Sequence, residues 1–372
     1  MKLLHVADVH LDSKLKSHLT PEQTKKRKSE LLQTFRNMID YASQNGIQGI
    51  LISGDLFDAS AKYVSKTAKS IVIDSIYNNH DIEFYYLKGN HDEDSFLSEY
   101  DSLPDNLHTF NDQWTEYRIG RRVMISGAEL NGSNDSALFH SLVLDSKDIN
   151  IVMLHGQICE YGNGQKEEVV LSDLRNRSID YLALGHVHAY SREQLDSRGI
   201  YCYSGCLEAR GFDETGEHGF VVLDINEETG VVTDRFVPFT QRHAYICDVD
   251  ITGAPDTVTA EKMIESAFEE GGYCSEDMVE LCVFGQLDVD SEIIYSHLEN
   301  VFNGRFFAFK FKKKTTIKVN YDAFALDASL KGEFIRLVRE AEDVSEDDKG
   351  EIIRLGIELL ANPKCLENRK GD

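Results

Sequence analysis

The sequence predicts an α/β fold in which short buried strands alternate with amphipathic helices. Apolar segments of strand length end abruptly in glycine or polar residues at five places: 2–7, 50–53, 84–87, 149–153 and 181–184. Between the first three, residues 21–42 and 63–78 carry apolar side chains at helical spacing, and Thr20 with Pro21 suits a helix start. This βαβαβ order is typical of a sheet whose strands end at one shared crevice.

Polar motifs follow the five predicted strands. The motifs are Asp8-Val9-His10, Gly54-Asp55-Leu56-Phe57-Asp58, Gly89-Asn90-His91-Asp92-Glu93, Leu154-His155-Gly156 and Gly185-His186-Val187-His188. Carboxylates and neutral imidazoles bind divalent metals such as manganese, iron or zinc, and a shared carboxylate can hold two ions about 3.5 to 4 Å apart. The pattern therefore predicts a two-metal site that hydrolyses phosphoesters.

Each motif has an ordinary structural explanation when it is taken alone. His155 or His186 could be a hydrogen-bonded histidine, and Asp55 could cap a helix. Asn90 and His91 could form a turn. Their joint order, each motif after its own strand, favours the metal site over these alternatives.

Together the motifs resemble those of the calcineurin-like metallophosphoesterases and, within them, the SbcD-like DNA repair exonuclease subunits. The resemblance implies a two-sheet sandwich flanked by helices, and two divalent ions, manganese first, with iron, zinc or magnesium as alternatives. The ligands that it implies are Asp8, His10 and His188 for one ion, Asn90, His155 and His186 for the other, and Asp55 between them.

The resemblance also implies roles for side chains that are not permanent ligands. We expect His91 to face the scissile phosphate and to protonate or steady the leaving oxygen. Asp58 and Asp92 are expected to orient the metal ligands. Residues 203–208 and 211–214 resemble a segment that follows the last histidine motif in SbcD-like proteins. Because Ser204, Cys206 and Asp12 depart from the family pattern, a divergent member is expected.

Composition limits the remaining choices. The formal charge of −25 on 372 residues predicts weak DNA binding by the isolated chain, since that affinity depends on lysine and arginine, and a partner could supply the basic surface.

No apolar run approaches the length of a membrane span, and no signal-peptide pattern opens the sequence. Seven scattered cysteines without a CxxC pair indicate reduced thiols. A cytoplasmic protein is expected.

Changes in pattern predict three parts. Residues 1–240 are expected to form the dimetal phosphoesterase domain, and a second βαβαβ pattern at 241–320 a small α/β capping domain. Two amphipathic helices are predicted in 321–372. In SbcD-like proteins such a pair of helices docks on an SbcC-like coiled-coil ATPase, and the resemblance implies the same here. The alternative is that the two helices pack against the capping domain of their own chain. The resemblance also implies a homodimer.

One basic strand is predicted within the capping domain. Residues 305–318 contain six cations and no acid, and strand alternation puts Lys310, Lys312 and Lys314 on one face. This face is interpreted either as a ridge that contacts nucleic-acid phosphates or as the solvated side of a half-buried strand.

Three functions compete at this point. The leading hypothesis is a hydrolase that acts as a DNA exonuclease or endonuclease in repair, together with a coiled-coil ATPase. The second is a phosphodiesterase or phosphatase for nucleotides or small phosphoesters, because the motifs alone specify only metal-assisted phosphoester hydrolysis. The third is a non-catalytic recruitment scaffold, which the complete ligand set disfavours.

Overall fold

A computed structural model describes most of the chain as two compact units, Met1–His243 and Ala244–Asp372. The described residues are 1–15, 19–58, 63–92, 96–130, 135–162, 164–289, 291–319, 321–324 and 326–361. Glu93 of the third motif and the end of the predicted docking segment lie outside them. None of the described helices is long and apolar enough to span a membrane.

The first unit contains fourteen strands and four α-helices among its described residues. The strands are β1 (Lys2–Val6), β2 (Gly49–Ser53), β3 (Glu83–Leu87), β4 (Leu107–Thr109), β5 (Thr115–Ile119), β6 (Val123–Gly127), β7 (Ile149–His155), β8 (Gln157–Cys159), β9 (Glu168–Val170), β10 (Tyr181–Gly185), β11 (Ser191–Gln194), β12 (Ile200–Tyr203), β13 (Gly219–Asn226) and β14 (Val231–Pro238). The helices are α1 (Pro21–Gln44), α2 (Lys66–Tyr77), α3 (Asp135–Ser141) and α4 (Leu171–Leu174).

Two six-stranded sheets organise this unit, in the orders β14-β13-β1-β2-β3-β4 and β11-β12-β10-β7-β6-β5. Strands β1 to β4 are parallel, as are β6, β7, β10 and β12, whereas β13, β14, β5 and β11 are antiparallel to their neighbours. The parallel strands therefore deliver their carboxyl ends to a common edge in each sheet.

Apolar cores lie between the sheets and on their outer sides. Leu3 and Leu51 of the first sheet share the central core with Ile151 and Ala183 of the second. Helices α1 and α2 cover the outer face of the first sheet, and α3 and α4 cover that of the second. The predicted fold, a two-sheet α/β sandwich flanked by helices, is confirmed.

Helix α1 begins as the sequence predicts. The Thr20 hydroxyl accepts a hydrogen bond from the Gln23 backbone N–H, the Gln23 side chain accepts from the Thr20 N–H, and Pro21 occupies the first helical position. Leu31, Phe35 and further residues at helical spacing are buried against the first sheet.

The second unit is a three-stranded parallel sheet with five helices among its described residues. Its elements are β15 (Ala244–Asp250), α5 (Thr257–Gly271), β16 (Met278–Asp288), α6 (Tyr295–Phe302), β17 (Ala308–Lys318), α7 (Tyr321–Phe324), α8 (Leu330–Glu340) and α9 (Glu346–Ala361). Helices α5 and α6 pack on one face of the sheet. Helix α6 begins at Tyr295, after Glu292 has formed a β-bridge with Asp256.

The C-terminal helices belong to the second unit. Ile335 of α8 and Ile353 of α9 are buried with Val289, next to Ile317 at the end of β17. Other apolar side chains of the same pattern are exposed, such as Leu337 at 61%. The helices thus pack against β17 within the second unit and leave apolar side chains exposed. The functions predicted for the three parts of the chain stay predictions.

Candidate metal centre

The structure brings the side chains of all five motifs to the carboxyl ends of the parallel strands. Asp8 and His10 follow β1, Asp55 follows β2, and Asn90 follows β3. In the second sheet His155 ends β7, and His186 and His188 follow β10. The two sheets therefore supply ligand candidates to one place, as the strand-and-motif pattern predicts.

One group of donors consists of Asp8, His10 and His188, whose potential ligand atoms all lie within 4.8 Å of one another. The Nε2 atoms of His10 and His188 are 3.2 Å apart. His10 is fully buried, whereas His188 is partly exposed. The group could hold one ion.

A second group consists of Asp8, Asp55 and His155, again with potential ligand atoms within 4.8 Å. Asn90 extends it, because its Oδ1 lies 3.0 Å from His155 Nε2 and 3.3 Å from His186 Nδ1. Asp55 lies between the two groups: its Oδ2 is 3.7 Å from His10 Nε2 and 3.6 Å from His155 Nε2. Its position suits the shared carboxylate of a two-ion site.

Several of these residues have a left-handed backbone, which is uncommon for residues other than glycine. The φ angles are 49° at Asp8, 47° at His10, 51° at Asp55 and 103° at His186. Long-range hydrogen bonds hold the turns: the backbone N–H groups of Asp8 and His10 donate to the carbonyls of Gly54 and Asp55 at 3.1 and 3.0 Å. The strained turns aim the ligand side chains inward.

Gly54 shows how closely the backbone approaches the ligands. Its φ is +92°, and a Cβ atom there would lie 2.1 Å from Nδ1 of His155. A side chain at this position would therefore displace the imidazole. Gly89 is comparable, because its Cβ would lie 2.1 Å from Oδ1 of Asp55.

Carbonyl or carboxylate oxygens face the Nδ1 atoms of three of the histidines. The Nδ1–H of His155 donates to the carbonyl of Ser53 at 2.9 Å, which leaves Nε2 free to bind a metal. Nδ1 of His10 lies 3.3 Å from Oδ1 of Asp58. Nδ1 of His188 lies 2.7 Å from Oε1 of Glu214. Each imidazole thus directs Nε2 toward the donor groups.

Asp58 and Asp92 have the surroundings that an orienting role requires. Asp58 accepts a hydrogen bond from Ser13 at 2.7 Å and contacts His10. Asp92 is buried and accepts from the backbone N–H groups of Leu56 and Phe57, each at 3.1 Å. It therefore braces the turn that carries Asp55, while its contact with the metal ligands is indirect.

The protonation states suit divalent cations. Burial, followed by the negative charge of Asp55, raises the pKa of Asp8 to about 8. Burial also lowers the pKa of His155 to about 4 and that of His10 below its usual value, so both imidazoles are neutral near pH 7. Neutral imidazoles, crowded carboxylates and an amide oxygen fit manganese, iron or zinc, whose positive charge would relieve the carboxylate repulsion.

His91 lies at the mouth of the site and not among the donors. Its side chain is 46% exposed, and its ring centroid is 5.2 Å from that of His10. Its Nδ1 is 3.5 Å from Oδ1 of Asp58, and its backbone N–H donates to Asp55 at 2.9 Å. The imidazole is thus tethered beside the donor groups and accessible from solvent.

The three lysines of the predicted ridge belong to the second unit. Lys310 and Lys312 form ion pairs with Oε2 and Oε1 of Glu280 at 2.7 and 2.6 Å. Glu280 lies opposite Lys310 in the register of β16 and β17 and is nearly buried. Lys314 is exposed. Strand alternation gives no indication of the acidic partner, because that depends on the neighbouring strand.

Two residues of the site carry no role in the sequence-based prediction. Glu214 contacts His188, and the Arg210 guanidinium lies 3.1 Å from Nδ1 of His188 and 3.2 Å from Oδ1 of Asp58. Both follow the last histidine motif, in a segment whose resemblance to the family was the only available signal. Their long-range contacts with Asp58 and His188 were not readable from spacing.

Replacing Gly54 with alanine is predicted to weaken manganese binding by about 10- to 100-fold, because the new methyl group displaces His155. The matched control is Gly46→Ala, which imposes a side chain at a similar positive φ but meets no atom within 4 Å. Isothermal titration with manganese measures both. Equal affinities in the two variants would contradict the close approach described for Gly54.

Comparisons with known proteins agree with this geometry. Residues 1–190 match the family model for calcineurin-like phosphoesterases. The uncharacterised metallophosphoesterase YhaO of Bacillus subtilis is 27% identical over 290 residues, which is 73% of this chain and 68% of YhaO. The DNA double-strand break repair protein Mre11 of Sulfolobus acidocaldarius is 21% identical over 80% of this chain and 79% of its own length. Mre11 of Saccharolobus solfataricus is also 21% identical, over 95% of this chain and 94% of its own. The chain therefore belongs to the calcineurin-like phosphoesterase family and is a hydrolase of the dimetal phosphoesterase superfamily.

Proposed function

We propose that this protein is a metal-dependent DNA nuclease, SbcD-like in its organisation, that hydrolyses phosphodiester bonds in DNA repair. The observation that carries the proposal is the pair of donor groups that meet at Asp55, with an exposed histidine beside them. The similarity to two proteins named for DNA double-strand break repair, over most of this chain, favours DNA as the substrate.

Each predicted ligand has a definite task in this proposal. Asp8, His10 and His188 would hold one divalent ion, Asn90, His155 and His186 would hold the other, and Asp55 would serve as the shared ligand. Bound ions, manganese in the first place, would supply positive charge for the phosphate oxygens and lower the pKa of water. Asp58 and Asp92 keep the ligands in orientation.

His91 acts on the substrate. Its exposed imidazole lies beside the donor groups, where it can donate a proton or a hydrogen bond to the departing oxygen. Asp58, 3.5 Å from Nδ1, steadies the ring. Metal binding does not depend on the His91 side chain in this proposal.

A partner completes the nuclease. The charge of −25 makes strong DNA binding by this chain alone unfavourable. Leu330 and Leu337 of α8 are exposed by 70% and 61%, and such an apolar helix face suits docking on a coiled-coil ATPase of the SbcC type. A homodimer and a cytoplasmic location belong to the same proposal.

A small-substrate phosphodiesterase or phosphatase is the second candidate. The net charge favours it, and so does Glu280, which already pairs with Lys310 and Lys312 of the predicted DNA ridge and offsets one of their two charges. The metal site serves either substrate equally, since it acts on the phosphoester alone. A scaffold without turnover is disfavoured by the presence of every expected ligand.

Hydrolysis of a short duplex with one labelled single-stranded end tests the nuclease proposal. We predict that wild-type protein shortens the strand with manganese, that chelator stops the reaction, and that Asp55→Asn abolishes it because both ions lose a ligand. No DNA cleavage together with rapid hydrolysis of a small chromogenic diester would favour the second candidate. Undiminished activity in Asp55→Asn would refute the shared site.

Replacing His91 with alanine is predicted to leave manganese binding intact and to lower kcat by about 100- to 10,000-fold, because only proton donation is lost. The control is His297→Ala, since His297 is similarly exposed, at 52%, and also lies near a carboxylate. Manganese titration and single-turnover rates are measured on both variants. Loss of both ions in His91→Ala would contradict the role at the phosphate.

Replacing Glu280 with glutamine tests whether the lysine ridge contacts DNA. The variant is predicted to bind a labelled duplex more tightly and with a steeper salt dependence, because Lys310 and Lys312 no longer share a carboxylate. Glu265→Gln removes the same charge from helix α5, which packs on the opposite face of the sheet. Fluorescence anisotropy at several salt concentrations compares them, and an equal change in both variants would count against the ridge.

A further inference from the structure

The loop between β12 and β13 supports the histidines of the first donor group. Oε1 of Glu214 lies 2.7 Å from Nδ1 of His188, and Oδ1 of Asp58 lies 3.3 Å from Nδ1 of His10. A carboxylate in this position fixes both the tautomer and the direction of a ligand imidazole. His188 is thus held by a hydrogen bond to a carboxylate, and His10 lies at ion-pair distance from another.

Arg210 connects these two carboxylates. Its Nη1 donates to Oδ1 of Asp58 at 3.2 Å, and its Nη2 donates to Oε1 of Glu214 at 2.9 Å. These are the same oxygen atoms that face His10 and His188. The backbone N–H of Arg210 also donates to Oε2 of Glu214 at 2.6 Å, so both carboxylate oxygens of Glu214 are engaged. One guanidinium therefore determines the positions of both carboxylates.

The loop that carries Arg210 is anchored in the protein core. The guanidinium of Arg27, which is fully buried in α1, donates to the carbonyl of Ala209 at 2.7 Å and to Glu208 at 2.9 Å. On the other side, the backbone N–H of Cys206 donates to the carbonyl of His188 at 2.9 Å. Arg210 is thus positioned without any contribution from a substrate.

Simple electrostatics does not account for an arginine at this place. The Nη2 of Arg210 is 3.1 Å from Nδ1 of His188, and a fixed positive charge so close to a metal ligand repels a bound cation. If charge alone mattered, removing Arg210 would strengthen metal binding. An orienting function predicts weaker metal binding instead, because the ligands lose their alignment when the arginine is removed.

The second donor group is supported in another way. His155 is oriented by the backbone carbonyl of Ser53, which lies 2.9 Å from its Nδ1. This support is a main-chain group outside the loop from β12 to β13. A substitution in the loop therefore acts selectively on the first group.

We propose that Arg210 and Glu214 form a positioning clamp that sets the affinity of the first metal position, held by Asp8, His10 and His188, and leaves the second position unaffected. The clamp rests on the two-metal site of the proposed function. Neither residue is a catalytic residue in this proposal, since both act through His10 and His188.

Manganese titration of the full chain tests the clamp. Arg210→Lys keeps the positive charge but cannot bridge Asp58 and Glu214 in the same way. We expect one of two bound ions to be about 10- to 100-fold weaker in Arg210→Lys and Glu214→Gln, while the other keeps its affinity. Manganese is then added at a concentration between the dissociation constants of the strong and the weakened position in the variants. Electron paramagnetic resonance is expected to show isolated ions in the variants and coupled pairs of ions in the wild type.

Arg198→Lys is the matched control. Its guanidinium makes a bidentate pair with Asp180 at 2.9 and 2.8 Å, before the start of β10, whereas His186 and His188 follow the end of that strand. It is expected to bind two ions like the wild type. Circular dichroism verifies that each variant is folded. If Arg210→Lys does not fold, Glu214→Gln provides the same test of the clamp.

The outcomes separate the clamp from the proposed function. A wild-type protein that binds fewer than two ions contradicts the two-metal site itself. A wild type with two ions and variants with unchanged or stronger affinities overturns the clamp alone. Loss of both ions in folded variants also overturns it, because the second position is predicted to be independent of the loop.

Discussion

The crowding of buried carboxylates with neutral imidazoles is the constraint on which the rest of the structure depends. Asp8 and Asp55 are 1% and 2% exposed, and their oxygen atoms lie within 4.8 Å of each other. Ionising both carboxylates at that separation would cost about 3 kcal/mol at an effective dielectric constant of about 20, and burial together with this repulsion raises the pKa of Asp8 to about 8. Divalent cations turn this repulsion into attraction, so the arrangement favours metal binding at the expense of the metal-free fold.

The sandwich architecture makes this arrangement possible. The packed core between the sheets keeps the carboxyl ends of β1, β2, β3, β7 and β10 close together, and each end contributes only one or two ligand candidates. Left-handed turns at Asp8, His10 and Asp55 then direct the side chains inward, and cross-strand backbone hydrogen bonds stabilise those turns. The rigid core therefore compensates for local strain at the site.

Much of this could be predicted from the sequence, for physical reasons. Strand patterns and glycine-flanked polar motifs are local signals, and the parallel order of the strands implies that their ends converge. The partners of the ligands are a different matter. Arg210 and Glu214 reach Asp58 and His188 only after the loop from β12 to β13 has packed against α1. Likewise, the pairing of Glu280 with Lys310 follows from the register of β16 and β17, which alternation within one strand does not determine.

Anomalous diffraction from crystals grown with manganese locates each ion without reference to activity. We expect two peaks about 3.5 to 4 Å apart. One is expected next to Asp8, His10 and His188, the other next to Asn90, His155 and His186, with Asp55 between them. A single peak at saturating manganese, or two peaks without Asp55 between them, would contradict the two-metal site.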